Sequence, residues 1–228
     1  IIASQNIHHF IFSSTAAVYG APDHSNPIKE DDPKNPISPY GASKLAAEGE
    51  INKFLAMPGN HGTSLRFFNV VGTAAPELLD NSVENLVPIV INKLKAGQPP
   101  IIYGTDYPTP DGTCIRDYIH VNDLAEAHIA ALLHLDRQAA GTHDAFNLGT
   151  GRGHSVKEII SCCEEITGLK VPHTFGPRRD GDPPALVADP SKAANILGWK
   201  AKEGIVSIVR SAWNWHKNYP QGYKTPQA

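Results

Sequence analysis

The chain has 228 residues, 41% of them apolar, and 19 glycines bring the small and apolar share near half, an ordinary globular composition that excludes disordered and collagen-like chains. Twenty basic against 23 acidic side chains leave a net charge of −3, so no basic field exists to draw nucleic acid or an anionic lipid surface. No apolar run approaches the ~18 residues needed to span a membrane, and Cys114 with the adjacent Cys162 and Cys163 makes no disulfide framework. A reducing, cytoplasmic setting is expected, with no nucleic-acid or membrane partner.

Strand and helix patterns alternate, which predicts α/β layering. Phe10-Ile11-Phe12 is a continuous apolar run, read as a strand buried on both faces. It ends in Ser13-Ser14-Thr15, and hydroxyls at the carboxyl end of a parallel strand sit where open α/β sheets bind ligands. A proline-rich loop follows. Ser38-Pro39 then reads as an N-cap with proline at the first helical position, opening a helix over 39–56.

A strand is expected over 64–69, a helix over 85–96 stopped by Gly97, and a short strand at Ile101-Ile102-Tyr103. Residues 115–121 read as extended, with Asn122 capping a helix whose inner face carries Leu124, His128, Ala131, Leu132 and Leu135. Phe146-Asn147-Leu148 is another strand. Ser155 and Glu158 have capping-box spacing at the start of a helix reaching Thr167. A short helix after Asp189-Pro190 closes at Gly198, and a last one spans 204–218 with Ile205, Ile208, Val209, Ala212 and Trp213 inward.

Tyr40 and Lys44 lie four apart on the 39–56 helix and therefore share a face. A phenol, with a reference pKa near 10, is by itself a poor base at neutral pH. An ammonium about 5 Å from a phenol favours the phenolate by roughly 3 kcal/mol at an effective dielectric of 20. The rest of the shift needs a further positive charge, such as an oxidised nicotinamide ring. The same spacing also occurs on ordinary helix surfaces, so the pair gains its meaning from the hydroxyl-rich strand end upstream of it.

Phe12-Ser13-Ser14-Thr15-Ala16-Ala17-Val18-Tyr19-Gly20 and Ser38-Pro39-Tyr40-Gly41-Ala42-Ser43-Lys44 resemble the extended short-chain dehydrogenase/reductase family. Leu65-Arg66-Phe67-Phe68-Asn69, Asn85-Leu86-Val87-Pro88, Arg116-Asp117-Tyr118-Ile119-His120-Val121 and Arg178-Arg179-Asp180-Gly181-Asp182 narrow the resemblance to UDP-galactose (UDP-glucose) 4-epimerases, over essentially the whole chain. The resemblance implies a partial Rossmann-like parallel sheet over 1–75 and a smaller α/β UDP-sugar domain over 76–228, with some strands of about 113–148 returning to the main sheet. It implies NAD as cofactor, a UDP-sugar as substrate and a homodimer. The implied reaction inverts C4 of a UDP-hexose through a transient 4-keto sugar, as in conversion of UDP-galactose to UDP-glucose.

By position, the resemblance makes Tyr40 the acid/base, Lys44 its electrostatic partner and Thr15 the hydroxyl bridging Tyr40 and the sugar. Many relatives carry serine where Thr15 stands; threonine keeps the hydroxyl and adds a methyl that crowds the sugar. Ser13, Ser14, Tyr40, Lys44 and Phe68 are expected to meet NAD. Thr15, Asn69, Asn85, Leu86, Tyr103, Arg116, Arg179, Asp182 and Leu186 are expected to hold the UDP-sugar. These residue types suit the work: arginine forks grip diphosphate, Tyr103 offers a ring to uracil, and Asp182 accepts from a ribose hydroxyl. The alternative for the arginines is a surface ion pair with Asp117 or Asp180. Leu186 stands where the family gates pocket size, which leaves UDP-pentoses and UDP-N-acetylhexosamines as alternative substrates.

Dehydratase relatives place Asp and Glu after the strand-end threonine for proton transfer at C5 and C6, and Ala16 and Ala17 lack that chemistry. Gly149-Thr150-Gly151-Arg152-Gly153 lacks G-x-G-x-x-G spacing and reads as a tight turn. The 11 histidines show no metal-ligand spacing, so no metal site is expected; His120 reads as a structural hydrogen-bonding residue, and Cys162-Cys163 as packing residues. The family's glycine-rich strand–helix unit for the NAD pyrophosphate does not occur here. The chain therefore reads as an N-terminally truncated piece that by itself binds NAD poorly and turns over slowly. A non-catalytic sugar-nucleotide-binding module on the same fold is the alternative from another functional class.

Overall fold

The computed structural model describes residues 7–22, 27–75, 78, 85–138 and 141–219. Strand β1 (His9–Thr15) runs into one 3-10 turn (Ala16–Tyr19); helix α1 (Pro39–Leu55) then leads to β2 (His61–Phe67) and β3 (Asn69–Val71). Helix α2 (Leu86–Lys95), β4 (Ile101–Tyr103), β5 (Ile115–His120), α3 (Val121–Leu135) and β6 (His143–Leu148) follow. The chain continues through β7 (Gly153–Ser155), α4 (Val156–Thr167), β8 (Thr174–Gly176), β9 (Ala185–Leu186), a π-helical turn (Ala193–Leu197) and α5 (Ile205–Asn218).

Strands β1, β2 and β6 form a parallel sheet in that order. Its register aligns Thr15, Phe67 and Leu148 in one row, so three strands end together at the carboxyl edge. Phe68 alone separates β2 from β3, and its N–H donates to the Leu148 carbonyl at 3.2 Å. The chain passes there into a second sheet, in which β5 pairs with β3, β7 and β9. Of the stretch 113–148, β6 lies in the first sheet and β5 in the second.

Local signals place several elements. The Ser38 hydroxyl accepts from the Gly41 N–H at 3.1 Å, and Pro39 opens α1. Ser155 and Glu158 form a reciprocal capping box, with bonds of 3.1 and 2.8 Å, at the start of α4. Phe146 and Leu148 of β6, Leu65 of β2 and Ala127 and Ala131 of α3 bury together, so α3 covers the first sheet. Helices α2, α4 and α5 enclose a second core around Val90, Ile159, Cys163 and Ile208, against which Cys162 packs half-buried. Among the described residues no helix is long and apolar enough to cross a membrane.

Several expectations need correction. Strand β1 lies at the edge of the described sheet with Phe10, Ile11 and Phe12 partly buried, as expected for this piece of the fold, so burial of that apolar run on both faces is not seen here. The 64–69 strand begins at His61 and breaks at Phe68 as the chain changes sheets. Asn122 does not cap α3; the His120 ring does, its Nδ1 accepting from the Asn122 N–H at 3.1 Å. Leu132 is half exposed, and the small Ala127 takes the inward position against the sheet. In α5, Trp215 and His216 are buried, whereas Ile205 and Trp213 pack at the margin.

Candidate active site

Two devices bring the α1 face onto the end of β1. Gly41 abuts the Ala17 carbonyl, and a Cβ at that position would overlap it. Lys44 Nζ donates to the Ser13 carbonyl at 2.9 Å. That ammonium lies 5.8 Å from the Tyr40 ring centroid and 5.0 Å from that of Phe12. An ammonium has three donors, so the Ser13 bond leaves capacity for a ligand hydroxyl. Tyr40 is 56% exposed, and its ring is open to a bound molecule. Thr15 caps the 3-10 turn, its Oγ1 accepting from the Ala17 N–H at 3.2 Å.

The Ser14 side chain does not join this face. It is buried and donates to Glu48 Oε1 at 2.6 Å, on the α1 side of the sheet. Its expected contact with the cofactor is therefore limited to main-chain atoms, while Ser13 remains exposed.

Phe68 is buried with Ala16, Val18, Tyr19 and Ala188, and Leu186 packs on the same cluster. Leu186 pairs in register with Arg116 across β9 and β5. Arg116 Nη2 reaches Asp182 Oδ1 at 3.1 Å, and Arg179 reaches Asp182 Oδ2 at 2.7 Å. The guanidinium carbon of Arg179 in turn lies 5.4 Å from the Tyr103 ring centroid. The partner of both arginines is thus Asp182, not Asp117 or Asp180. Leu186, Arg116, Asp182, Arg179 and Tyr103 form one chain of neighbours.

Asn69 pairs with Tyr118 at the start of β3. Asn85 directly precedes α2 and lines an open cleft of ≈ 270 Å³ with Val70, Gly72 and Val121. Leu86, the first residue of α2, packs half-buried on the core.

Asp117 neighbours this chain but serves the backbone. Its carboxylate accepts from the Thr150 N–H (2.8 Å), the Thr150 hydroxyl (2.6 Å), the Gly151 N–H (2.9 Å) and the Ala188 N–H (3.2 Å). Burial nevertheless pushes its carboxyl above the ordinary range, against those bonds. The donors of the 149–153 loop are thus gathered on an internal carboxylate. The expected hydrogen-bonding role of His120 is present in its cap and in a 3.0 Å contact with the Ser211 hydroxyl.

Sequence reasoning missed the layer beneath the strand end. Arg66 grips Glu48 with two bonds of 2.7 and 3.0 Å, both side chains about 5% exposed or less. Arg66 also donates to the Tyr19 hydroxyl at 2.7 Å, and Tyr19 donates to Asn147 at 2.7 Å. Burial weighs against the Glu48 carboxylate, but bonds from Arg66 and Ser14 overcome it and hold the carboxyl below its usual range. Burial raises the Tyr19 phenol to about 12 despite Arg66. The signal for Glu48 was its spacing, one turn past Lys44 on the face of Tyr40.

The residues fit the nicotinamide-ribose end of NAD: a tethered ammonium with donors left, an exposed phenol, and the buried Phe68 beside the carboxyl edge of a parallel sheet. Among the described residues no cluster of His, Cys, Asp and Glu could hold a metal ion.

Residues 1–149 match the NAD dependent epimerase/dehydratase family. The UDP-glucose 4-epimerase of Lactobacillus helveticus is 43% identical over 224 residues, 96% of this chain and 67% of that enzyme. The crystal structure of a UDP-glucose 4-epimerase from Stenotrophomonas maltophila with bound NAD and formylated UDP-arabinopyranose superposes with a TM-score of 0.89 at 38% identity, covering 97% of this chain and 67% of that one. The Bifidobacterium longum enzyme in complex with NAD+ and UDP gives a TM-score of 0.88 at 40% identity, with the same two coverages of 97% and 67%. The chain thus spans about two thirds of the length of these relatives, and 62% of that of the Azospirillum brasilense UDP-glucose 4-epimerase.

Proposed function

The chain belongs to the NAD dependent epimerase/dehydratase family, and from that premise we propose that the protein containing it inverts C4 of a UDP-hexose, interconverting UDP-galactose and UDP-glucose. The observation that carries the reading is the Lys44 tether to Ser13, on the same helix face as Tyr40 and beside Thr15.

In this reading Tyr40 Oη takes the proton of the sugar 4-hydroxyl and returns it. Lys44 sets its ammonium 5.8 Å from the Tyr40 ring, on the same helix face. Thr15 donates to the reacting oxygen and fixes its place, while its Oγ1 accepts from the Ala17 N–H. NAD, when bound, supplies the acceptor and then the donor for the hydrogen at C4. Lys44, Tyr40, the Ser13 main chain and Phe68 would hold its nicotinamide-ribose end. Arg116 and Arg179 hold the diphosphate, Tyr103 lies against the base, Asp182 accepts from the ribose, and Asn69, Asn85 and Leu86 line the sugar side. Ala16 and Ala17 carry no acid or base, which disfavours dehydration at the same centre.

We divide the chain at residue 75 between the nucleotide end and the UDP-sugar end. The complete protein is taken to be a cytoplasmic homodimer packed through α1, whose outer face exposes Ala42, Ala46 and Gly49; its mass in solution tests the dimer. Tyr40→Phe in the complete protein tests the reaction. Turnover should fall by about 10²–10⁴-fold with UDP binding retained, on the scale of a lost general acid/base. Unchanged turnover would overturn the assignment of Tyr40, whereas a complete wild-type protein that binds UDP without any turnover would leave the non-catalytic sugar-nucleotide-binding module standing instead.

A further inference from the structure

The first sheet carries a polar row directly below the edge that holds Thr15. Ser14, Arg66 and Asn147 pair in register across β1, β2 and β6, one residue before the row of Thr15, Phe67 and Leu148. Glu48 reaches down onto this row from α1. Its Oε1 accepts from the Ser14 hydroxyl at 2.6 Å and from Arg66 Nε at 3.0 Å; its Oε2 accepts from Arg66 Nη2 at 2.7 Å. Arg66 is fixed in turn by the Tyr19 hydroxyl and by the Glu30 carbonyl at 3.0 Å. The carboxylate therefore has three donors, and the guanidinium is bonded on all of its nitrogens.

A buried ion pair is weak support for stability, because desolvation offsets its attraction and apolar residues of like volume often do as well. What such a pair does supply is direction. Tyr40, Lys44 and Glu48 follow at successive turns on one face of α1. The Ser14 bond to Glu48 and the Ser13 bond to Lys44 come from adjacent residues of β1. Together they fix both the height and the rotation of the helix against the strand end. Proton transfer is sensitive to displacements of this kind, a misplacement of about 1 Å costing roughly 10²-fold.

We infer that Glu48 and Ser14 are positioning residues for the reaction: the buried Arg66–Glu48–Ser14 cluster holds the Tyr40–Lys44 face of α1 in reacting register with Thr15. This rests on the epimerase reading above. Neither side chain is placed against substrate or cofactor.

The test uses the complete protein with its bound NAD. Ser14→Ala removes the link to β1 and leaves the Glu48–Arg66 pair intact. We expect kcat per bound NAD to fall about tenfold, with KM for UDP-galactose and the calorimetric Kd for UDP within about twofold and NAD content unchanged. A crystal structure of the variant should show Lys44 Nζ moved out of hydrogen-bond reach of the Ser13 oxygen. Glu48→Gln should act in the same direction, and the double variant should be no worse than Glu48→Gln alone, as for residues acting as one unit. If Glu48→Gln does not fold, Ser14→Ala decides. An unchanged kcat in Ser14→Ala, or an activity loss that only tracks lost folded protein, overturns the inference. Tyr40→Phe is run beside it: full turnover there sinks the epimerase reading, whereas a dead Tyr40→Phe with a fully active Ser14→Ala sinks this inference alone.

Discussion

Asp182 accepts from Arg116 at 3.1 Å through one carboxylate oxygen, while its other oxygen faces Arg179. The two arginines differ in burial. The Arg116 side chain is 11% exposed and that of Arg179 is 59% exposed. Arg116 therefore belongs to the wall, and Arg179 stands over the open side with Tyr103.

Arg179→Ala should weaken binding more than chemistry. A hydrogen bond to a charged group is worth about 1.5–3 kcal/mol, so KM for the UDP-sugar should rise about tenfold or more. Turnover number should change by less than about threefold, because this contact serves ground state and transition state alike. Steady-state kinetics on the complete protein would check it; a large fall in kcat alone would contradict the assignment.

Lys44→Met keeps the stem of the side chain and removes the charge. Turnover should fall by about 10²-fold or more, since the phenol loses its ammonium partner. The bond to the Ser13 carbonyl is lost as well, so rescue by added small amines should be incomplete. UDP binding, measured by calorimetry, should be retained, because no UDP contact is assigned to Lys44.

Much of this arrangement was legible in the sequence where bonds are local. Ser38-Pro39 and the Ser155–Glu158 box declare their helices because each cap is satisfied within three residues. The hydroxyl-rich end of β1 and the Tyr40–Lys44 spacing were also readable. The cap of α3 was not: Asn122 has the better residue type, but its own N–H is the group being capped, by the His120 ring. Leu132 misled because a helical period admits a neighbouring row; the buried row of α3 runs through Leu124, Ala127, Ala131 and Leu135. Glu48 and Arg66 carry no local mark of burial, because their burial depends on β1, β2 and α1 meeting. The same holds for Asp117, whose four donors come from residues 150, 151 and 188.

Asp117→Asn should destabilise the fold and do so unequally with pH. Asparagine offers one acceptor where the carboxylate offers two, so about two buried donors lose partners, at roughly 1–3 kcal/mol each. Because burial raises the Asp117 carboxyl in the folded chain, its contribution is fully present below the unfolded value and is lost as pH rises through the folded value. Acidification from pH 7 toward about pH 4 therefore relieves the wild type at this site and does nothing for the variant. The gap in urea midpoint between the two should widen in acid; a gap that narrows would show that the carboxylate is not penalised by burial. Glu48 works the other way, its lowered carboxyl contributing above the unfolded value and failing as pH falls through the folded one. Comparing variant with wild type at each pH cancels that background.

Leu186 should set which UDP-sugars are accepted. It pairs with Arg116 and packs on the cluster that holds Phe68, which puts it beside the proposed diphosphate grip in the proposed sugar pocket. A leucine there is intermediate in bulk. Trimming it opens room for an N-acetyl group, and enlarging it closes that room. A difference of a methylene or so in a pocket is worth about 1–3 kcal/mol, or roughly 10–200-fold in kcat/KM ratio. Leu186→Ala should therefore raise the preference for UDP-N-acetylgalactosamine over UDP-galactose by about tenfold or more, and Leu186→Tyr should lower it by a similar factor. UDP-arabinose, which is smaller than the hexose, should respond little to either change. Such a pattern would place the side chain against C2 of the sugar; equal effects on all three substrates would mean that Leu186 acts through Phe68 packing and not through the pocket.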